Sequence, residues 1–200
     1  MTIYDLQTPI SEQDIRKLRL NDIIYVTGTI FTARDEAHQR ALKLKAEGKP
    51  FPIKSNGLAV FHCGPIVRKV GEKWEIVAAG PTTSTRMDMF EDKFIEAFGV
   101  RLVIGKGGMG KRTADALKKY GAVYGAFTGG AAVLAAKAVR RITSVEWYDL
   151  GMPEALWIME VERFGPLIVA IDSTGASLFD QVKTKVEENR QKIYRELGIS

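Results

Sequence analysis

RLVIGKGGMGKRT, residues 101–113, combines three features that indicate a particular class of fold. Residues 101–104 form a short apolar run, which predicts a buried strand. Residues 105–110 are rich in glycine and predict a loop, and the composition of 113–120 predicts a helix. A strand that leads through a tight loop into a helix is typical of α/β proteins, in which such loops gather at one edge of the sheet.

The same order of elements occurs on both sides of this stretch. Downstream, a strand is predicted around 123–127, followed by a loop of small residues and an alanine-rich helix through Val139. Upstream, the β-branched and aromatic run 22–32 predicts a strand, and 34–47 predicts a helix. We therefore expect an α/β fold in which residues 1–200 form a single domain.

The remaining segments predict a strand-rich first half and an amphipathic helix at the end. The final helix covers 177–197, and its apolar residues on or near one face are Leu178, Val182, Val186 and Ile193. The other predicted elements are a short helix that starts from a capping-box pattern at Ser11, a hairpin-like pair of strands at 57–63 and 74–79, a helix at 87–98, and strands at 144–148, 155–161 and 167–171.

The composition excludes several classes of protein. With 46% hydrophobic and 26% charged residues, the chain is neither disordered, nor collagen-like, nor a coiled coil. The single cysteine, Cys63, excludes an internal disulfide framework, a cysteine zinc site and an iron–sulfur cluster held by this chain alone. Only two histidines accompany it, so we expect no metal ligands on this chain.

Charge and hydropathy patterning bear on partners and location. The net charge of +5 permits nucleic-acid binding, but Lys and Arg are spread along the chain. The densest cluster, Lys137, Arg140 and Arg141, is short and is interpreted as solvated surface, so no nucleic-acid partner is expected. No run approaches the ~18 apolar residues of a membrane span, and the N-terminal segment lacks the apolar core of a signal peptide. We expect a cytoplasmic protein without a membrane partner.

The glycine-rich loop resembles a phosphate-binding loop only in part. Gly105, Gly110 and Lys111 fit the pattern, but Arg112 stands where the magnesium-binding hydroxyl belongs, which argues against a nucleoside triphosphatase. Backbone N–H groups at the start of the following helix, with Lys106 beside them, predict an anion site. A tight turn with surface lysines explains the loop equally well.

Two further strand-to-helix loops carry an arginine. Arg34 follows the strand 22–32, and Arg86 lies in the hydroxyl-rich segment 79–88. Because such loops meet at one edge of an α/β sheet, Arg34, Arg86 and Lys106 are expected to converge on one small polyanion. Guanidinium groups bind carboxylates through paired hydrogen bonds, and a lysine adds a compact positive charge.

Five motifs in a fixed order identify a family resemblance. They are ARDEAH (33–38), GPTTSTRMD (80–88), KGGMG (106–110), GGAA (129–132) and LGMPEALW (150–157). Together they resemble the β subunit of two-subunit class I fumarases and of L(+)-tartrate dehydratase, which corresponds to the C-terminal domain of single-chain class I fumarases.

The resemblance implies a fold, a reaction and a partner. The family fold is a swivelling β/β/α domain, with mixed sheets and helices packed on one side. The family reaction is the interconversion of a 2-hydroxy dicarboxylate and its unsaturated product by loss or addition of water. The resemblance also implies a [4Fe-4S] cluster ligated by an α subunit, an assembly with two copies of each subunit, and a small dicarboxylate substrate. The count of one cysteine agrees with a cluster that this chain does not ligate.

The resemblance also implies roles for individual residues. Arg34 resembles a carboxylate-binding arginine, and Arg86 and Lys106 resemble the remaining substrate-binding cations. Thr82 resembles the hydroxyl that takes part in proton transfer at the substrate carbon. Many single-chain relatives read KGN where this chain reads KGGMG, so Lys106 is retained while its neighbouring contacts differ.

Three other residues near these motifs have both a functional and a structural interpretation. His38 follows Arg34 by one helical turn, so it either supports the binding residues from behind or packs against the sheet. Asp35 and Asp88 either orient the neighbouring arginines or favour helix N-termini.

Two classes of function remain open from the sequence. The leading hypothesis is a β subunit that hydrates fumarate together with an α subunit, and L(+)-tartrate dehydration is the near alternative. The alternative from a different class is a non-catalytic module that binds an anion or nucleotide through the glycine loop 105–113.

Overall fold

The computed structural model describes residues 1–198. Its strands are β1 (Ile3–Gln7), β2 (Ile23–Thr32), β3 (Ala59–Phe61), β4 (Ile66–Val70), β5 (Lys73–Ala78), β6 (Leu102–Gly105), β7 (Val123–Ala126), β8 (Val139–Glu146) and β9 (Leu156–Ile171). Its helices are α1 (Glu12–Ile15), α2 (Asp35–Ala46), α3 (Asp88–Phe98), α4 (Lys111–Tyr120), α5 (Ala132–Ala138) and α6 (Leu178–Glu196), with short 3-10 helices at Ser84–Arg86 and Tyr148–Leu150.

The main sheet closes on itself. Strands β1, β2, β3, β6 and β7 run parallel to one another, whereas β9 runs antiparallel to β2, β7 and β8. Because β9 pairs with β2 along one side and with β7 along the other, β2, β3, β6, β7 and β9 form a barrel-like ring. Sequence patterning did not indicate this closure.

Alternation along the strands divides the apolar residues between two cores. In β2, Ile24, Val26 and Ile30 point into the ring, and Phe31 points outward against the helices. Helices α2, α3 and α4 cover that outer face with small and aromatic residues, among them Phe94. Each fully buried aliphatic or phenyl side chain contributes about 1.5–3 kcal/mol of transfer free energy, so these two cores hold the ring together.

The observed fold confirms the predicted mixed α/β sheet with helices packed on one face. The swivelling arrangement implied by the family resemblance stays a prediction. Strand β1 was not predicted, and its single buried residue, Leu6, explains why the pattern was too weak to reveal it.

The predicted hairpin was wrong in one of its strands. The partner of β5 is β4, across a tight turn at Gly71, whose φ of 59° suits glycine. The run 57–63 instead contributes β3, which lies between β2 and β6 in parallel and is buried on both faces. The hairpin packs on the ring through Trp74, whose indole centroid lies 5.2 Å from that of Trp157.

Near the C-terminus, two predicted strands proved to be one. Strand β9 continues through Gly165-Pro166, where its pairing with β2 is irregular and the missing N–H of proline is tolerated. The strand predicted at 144–148 begins earlier, as β8 from Val139, and ends at Glu146 before a 3-10 turn.

The predicted final helix is present as α6. The side chain of Ser177 caps it by accepting the N–H of Asp180 at 3.3 Å. None of its residues is buried, so its apolar face, which includes Val182 and Val186, stays exposed. Within residues 1–198, no helix is long and apolar enough to cross a membrane.

Candidate active site

The candidate residues lie where four parallel strands reach their carboxyl ends. Arg34 follows β2 and immediately precedes α2, His62 follows β3 directly, and Lys106 follows β6 directly. The loop after β7 contains Gly129. We call this end of the ring the site edge, which is where ligands commonly bind in α/β sheets.

Thr82 is held between two of these strand ends by its backbone. Its N–H donates to the carbonyl of His62 at 2.7 Å, and its carbonyl accepts the N–H of Lys106 at 3.3 Å. Two residues further along the chain, the N–H of Ser84 donates to the carbonyl of Lys106 at 2.9 Å. The threonine loop, residues 81–84, therefore extends the sheet between β3 and β6 and places Thr82 beside Lys106.

Arg34 is fixed by a carboxylate from the last of the five motifs. Its Nε lies 3.1 Å from Oε1 of Glu154, and Oε2 of Glu154 accepts the backbone N–H of Glu36 at 3.0 Å. A Cβ on Gly64 would lie 2.6 Å from Nη1 of Arg34, so glycine is needed where the guanidinium passes. Glu154 thus anchors both the arginine and the first turn of α2.

Arg86 lies near Arg34 because it pairs with the first residue of α2. Its Nη2 lies 2.5 Å from Oδ2 of Asp35, and about half of the Arg86 side chain is exposed. Asp35 therefore orients an arginine, as one of the two interpretations predicted, but that arginine is Arg86.

Among residues 1–198, Lys106 is the cation of this group that forms no ion pair with a carboxylate. Its side chain lies against the loop after β7, since a Cβ on Gly129 would be 3.4 Å from Cδ and 4.0 Å from Nζ of Lys106. In the part of the chain that the structure describes, no carboxylate forms an ion pair with its ammonium group. The ammonium group is therefore available to an anion at the site edge.

Beneath the site edge lie His38, His62 and Glu91, which we call the histidine–glutamate cluster. All three side chains are 0% exposed. Oε2 of Glu91 lies 2.9 Å from Nε2 of His62 and 3.3 Å from Nε2 of His38. Nδ1 of His38 faces the carbonyl of Arg34 at 2.7 Å. His38 is thus buried in the interior and contacts the backbone of Arg34 from behind, and its role stays a prediction.

Burial and hydrogen bonding set the charges in this cluster. Burial opposes ionisation of Glu91, but the two imidazoles outweigh it and hold the pKa of Glu91 below its usual range. Burial lowers the pKa of His62 despite the neighbouring Glu91, which favours the neutral imidazole. Oε1 of Glu91 has no hydrogen-bond partner among the described residues, which is unusual for a buried carboxylate.

A hydroxyl pair continues this polar network to the glycine loop. Oγ of Ser84 lies 3.0 Å from Nδ1 of His62 and 3.0 Å from the hydroxyl of Tyr124. The Tyr124 hydroxyl oxygen also lies 2.9 Å from the carbonyl oxygen of Gly107, and burial raises the pKa of this hydroxyl. The network thus reaches both the threonine loop and the residue after Lys106.

The glycine loop does not present a vacant helix N-terminus. Oδ1 of Asp88 accepts the N–H of Gly110 at 2.8 Å and the hydroxyl of Thr113 at 2.6 Å. Asp88 therefore caps α4, the helix-terminus role that was one of its two predicted interpretations, and occupies the position that a phosphate would take. Gly108 is covered by the ring of Phe179. These contacts argue against the anion- or nucleotide-binding module.

The cysteine is a core residue. Cys63 is 0% exposed and lies in the inner core of the ring. Burial raises the pKa of its thiol, which disfavours the thiolate that metal binding needs.

Sequence reasoning missed several residues of the site. Glu154 lies within the LGMPEALW motif, but the sequence predicts no role for it. The sequence also does not predict four other residues of the site, which are His62, Ser84, Glu91 and Tyr124. Glu91 could have been found, because it occupies the apolar face of α3 together with Met87, Phe94 and Phe98. A charged residue at such a position has a specific reason to be buried.

Fold and site together define an α/β domain that gathers two arginines, a lysine and a threonine at one edge of a closed mixed sheet. The chain belongs to the family described as Fumarase C-terminus, which matches residues 2–182. This result confirms the resemblance expected from the five motifs.

Named relatives agree with this family. The chain is 50% identical over 192 residues to the L(+)-tartrate dehydratase subunit beta of Escherichia coli (strain K12), covering 96% of this chain and 94% of the relative. It is 43% identical over 185 residues to a putative L(+)-tartrate dehydratase subunit beta of Methanocaldococcus jannaschii, covering 92% and 95%. A putative class I fumarate hydratase of Geobacillus stearothermophilus is 38% identical over 94% of this chain but only 36% of its own length.

Proposed function

We propose that this chain is the β subunit of a cytoplasmic hydro-lyase acting on a small 2-hydroxy dicarboxylate. The observation that carries the proposal is that Arg34, Arg86, Lys106 and Thr82 lie on loops at the site edge. Fumarate hydration to L-malate is the reaction that the sequence predicts. L(+)-tartrate dehydration is the second candidate, favoured by relatives of that name that are 50% identical and match in length.

The cations suit a substrate with two carboxylates. Arg34 and Arg86 are already oriented by Glu154 and Asp35, so their forked N–H groups are held in place before substrate arrives. Lys106 contributes a charge that no protein carboxylate neutralises among residues 1–198. Each charge-assisted hydrogen bond to a substrate carboxylate contributes about 1.5–3 kcal/mol.

Thr82 is proposed to take part in proton transfer at the substrate carbon. Its backbone is fixed on both sides by hydrogen bonds to His62 and Lys106, and its side chain is half-buried. A threonine hydroxyl is a weak base unless a neighbouring group activates it. Lys106 is the neighbour of Thr82 through the backbone, and a cation close to the hydroxyl would stabilise the alkoxide form, which is the form that accepts a proton.

The [4Fe-4S] cluster implied by the resemblance does not fit the residues of this chain. The single thiol is fully buried even though Cys63 lies next to the threonine loop, and its protonated form is favoured. We therefore propose that the cluster belongs to an α subunit, paired as two copies of each subunit, and that this chain contributes half of an active site. The name "subunit beta" of the relatives supports a partner subunit.

Reconstitution tests this proposal. The chain is produced alone and also together with the cysteine-bearing partner, purified without oxygen, and each preparation is assayed with fumarate, L-malate and L(+)-tartrate. We expect the chain alone to be colourless and inactive, and the complex to consume fumarate, measured as loss of its ultraviolet absorbance. A complex that turns over only tartrate would select the second candidate. Activity of the chain alone, or a complex inactive on all three substrates, would overturn the proposal.

A further inference from the structure

A continuous path of polar contacts runs beneath the three loops that carry the proposed substrate-binding residues. It begins at the backbone of Arg34 and ends at the backbone of Gly107, next to Lys106. The successive contacts are Arg34 O to His38 Nδ1 at 2.7 Å, His38 Nε2 to Glu91 Oε2 at 3.3 Å, Glu91 Oε2 to His62 Nε2 at 2.9 Å, His62 Nδ1 to Ser84 Oγ at 3.0 Å, Ser84 Oγ to Tyr124 Oη at 3.0 Å and Tyr124 Oη to Gly107 O at 2.9 Å.

The path contacts each loop at or next to a residue that we propose to bind or act on the substrate. Arg34 supplies its own carbonyl, and Ser84 stands between Thr82 and Arg86 in the chain. The three cluster residues themselves are completely buried, so they do not touch a substrate at the site edge. Whatever they do for catalysis, they do through the loops that they connect.

The partners fix where the ring protons lie. A carbonyl can only accept, so Nδ1 of His38 carries a proton toward Arg34. An ionised carboxylate also only accepts, so Nε2 of His62 carries a proton toward Glu91. Nδ1 of His62 is then the acceptor for the hydroxyl of Ser84. Nδ1 therefore carries a proton in His38 and accepts one in His62, while Nε2 of His38 faces Glu91 without a hydrogen bond among the described residues.

Stability alone is a poor explanation for this arrangement. A buried charged group is seldom more stabilising than well-packed apolar residues of the same volume. Here one carboxylate oxygen, Oε1 of Glu91, has no hydrogen-bond partner among the described residues. Phe90 and Phe94 pack around His38, so an apolar side chain would suit this part of the interior.

The path is also closely packed where it passes under β6. A Cβ on Gly105 would lie only 1.8 Å from Oγ of Ser84 and 3.2 Å from Nδ1 of His62. The backbone of Gly105, directly before Lys106, therefore leaves space for the contact between the hydroxyl and the imidazole.

We propose that His38, Glu91 and His62 are positioning residues that hold the loops of Arg34, Thr82 and Lys106 in the mutual arrangement that the reaction requires. This inference rests on the proposed function, since it concerns how that site is held together. The cluster couples the start of α2 to the threonine loop through side chains, so its loss changes the distance between groups that act on one substrate. Displacements of this kind cost about a hundredfold in rate.

The kinetic test compares two buried acids. Glu91→Gln breaks the path, whereas Asp172→Asn alters a buried carboxylate at the opposite end of the ring, where β2 begins and β9 ends. In the assembled enzyme we expect kcat/KM of Glu91→Gln to fall about a hundredfold, and that of Asp172→Asn to stay within about twofold of the parent. Both variants are expected to lower Tm. If Glu91→Gln lowers Tm but keeps its kcat/KM, the cluster is structural and the proposal is wrong.

A smaller change checks the link to the threonine loop. Ser84→Ala removes one hydroxyl and leaves the contacts of Glu91 with both imidazoles intact. We expect kcat/KM to fall by about tenfold and Tm to fall by only about 2–4 °C, since a single neutral hydrogen bond is lost. Unchanged kinetics in this variant would remove Ser84 and Tyr124 from the path.

Nitrogen-15 NMR of the labelled full chain gives a readout that does not depend on activity. At pH 7.5 we expect His62 as the neutral tautomer protonated on Nε2, and His38 with a proton on Nδ1. The reversed tautomers would overturn the proposal. So would a rise in Tm with added Zn²⁺ together with zinc-induced shifts of both Nε2 atoms, because the cluster would then be a metal site. If the parental complex proves inactive, the proposed function fails, and these NMR results still decide how the cluster is connected.

Discussion

The two ends of the closed sheet bury carboxylates in different ways. At the far edge, where β2 begins and β9 ends, Asp22 accepts backbone N–H groups of Thr2 and Arg19 at 2.8 and 2.9 Å. Asp172 accepts backbone N–H groups in the adjacent turn in the same manner. At the site edge, Glu91 is instead held by two imidazoles, and one of its oxygens has no partner among the described residues.

This difference separates buried carboxylates that only stabilise the fold from a buried carboxylate that we propose to position substrate-binding residues. Backbone N–H groups are fixed by the path of the chain, and the acids of the far edge use them to hold loops that carry none of the proposed site residues. The groups that face Glu91 are instead side chains, His38 of α2 and His62 after β3, so Glu91 couples segments that carry substrate-binding residues. Changes at the far edge should therefore affect stability alone, whereas changes at the site edge should affect kinetics.

The largest expected effect is at Thr82. Thr82→Val keeps the shape and the branched Cβ but removes the hydroxyl proposed for proton transfer. Acid–base groups contribute about 10²–10⁴-fold, so we expect kcat and kcat/KM of the assembled enzyme to fall together by that factor. Steady-state kinetics with fumarate measures the loss.

Thr82→Ser is the matched control for this prediction. It retains the hydroxyl and should remain partly active, and both variants should still assemble with the partner subunit. A valine variant within a few-fold of the parent would assign proton transfer to the partner subunit and leave Thr82 as a turn residue.

The next largest effect is expected at Lys106. Lys106→Ala removes a cation that no protein carboxylate neutralises among residues 1–198, and the loss of one charge-assisted contact costs about 1.5–3 kcal/mol. We expect kcat/KM to fall by roughly ten- to a hundredfold while Tm is unchanged. Lys111→Ala is the control, because Lys111 lies in the same region but is 85% exposed and pairs with Asp115. Equal kinetics in the two variants would contradict a substrate-binding role for Lys106.

These residues show what sequence patterning could establish about the site. Arg34, Thr82, Arg86 and Lys106 were predicted as a group, because each stands in a motif at a strand-to-helix junction. Their placement at one edge follows from the sheet topology, and their roles stay predictions. The cluster beneath them was missed, because it depends on contacts between residues distant in the chain, such as His62 and Glu91.

For the fold as well, elements marked by local patterns were predicted, whereas contacts between distant segments were missed. The strand, loop and helix around residues 101–120 were predicted within two residues of the observed bounds, because glycines and apolar runs mark them locally. Closure of the sheet depends on β9 pairing with β2 and β7 at once, which no local pattern records. The hairpin partner of β5 was wrong for a related reason, since Gly57–Cys63 has the composition of a strand for any partner.

A smaller effect is expected on acidification, and it should come from the site edge. Both histidines of the chain lie there. Because burial lowers the pKa of His62 from 6.5, the unfolded chain binds a proton below that pH while the folded chain does not. The free energy of unfolding should therefore fall as pH drops from 7 to 5, with a slope of up to about 1.4 kcal/mol per pH unit for this group.

Urea unfolding of the isolated chain at several pH values measures that slope. We expect His62→Gln to reduce it and Asp172→Asn to leave it unchanged, even though both lower stability at pH 7. Below pH 4.5, protonation of Glu91 in the unfolded state should add to the loss, because the folded state keeps Glu91 ionised. A slope that His62→Gln leaves intact would show that His62 is not the group being titrated.

The smallest expected effect is at Asp88, which tests whether position or bonding decides the outcome. Asp88 lies at the site edge, two residues after Arg86, yet it is bonded like the acids of the far edge. Its carboxylate accepts the N–H of Gly110 and the hydroxyl of Thr113, and so caps α4. If the type of bonding matters, Asp88→Ala should behave like a far-edge variant: the lost cap costs about 1 kcal/mol, which lowers Tm by about 2–4 °C. Calorimetry measures that shift, and kcat/KM of the assembled enzyme should stay within about twofold of the parent. A loss as large as that of Glu91→Gln would mean that proximity to the site, and not the kind of donor, separates the two edges.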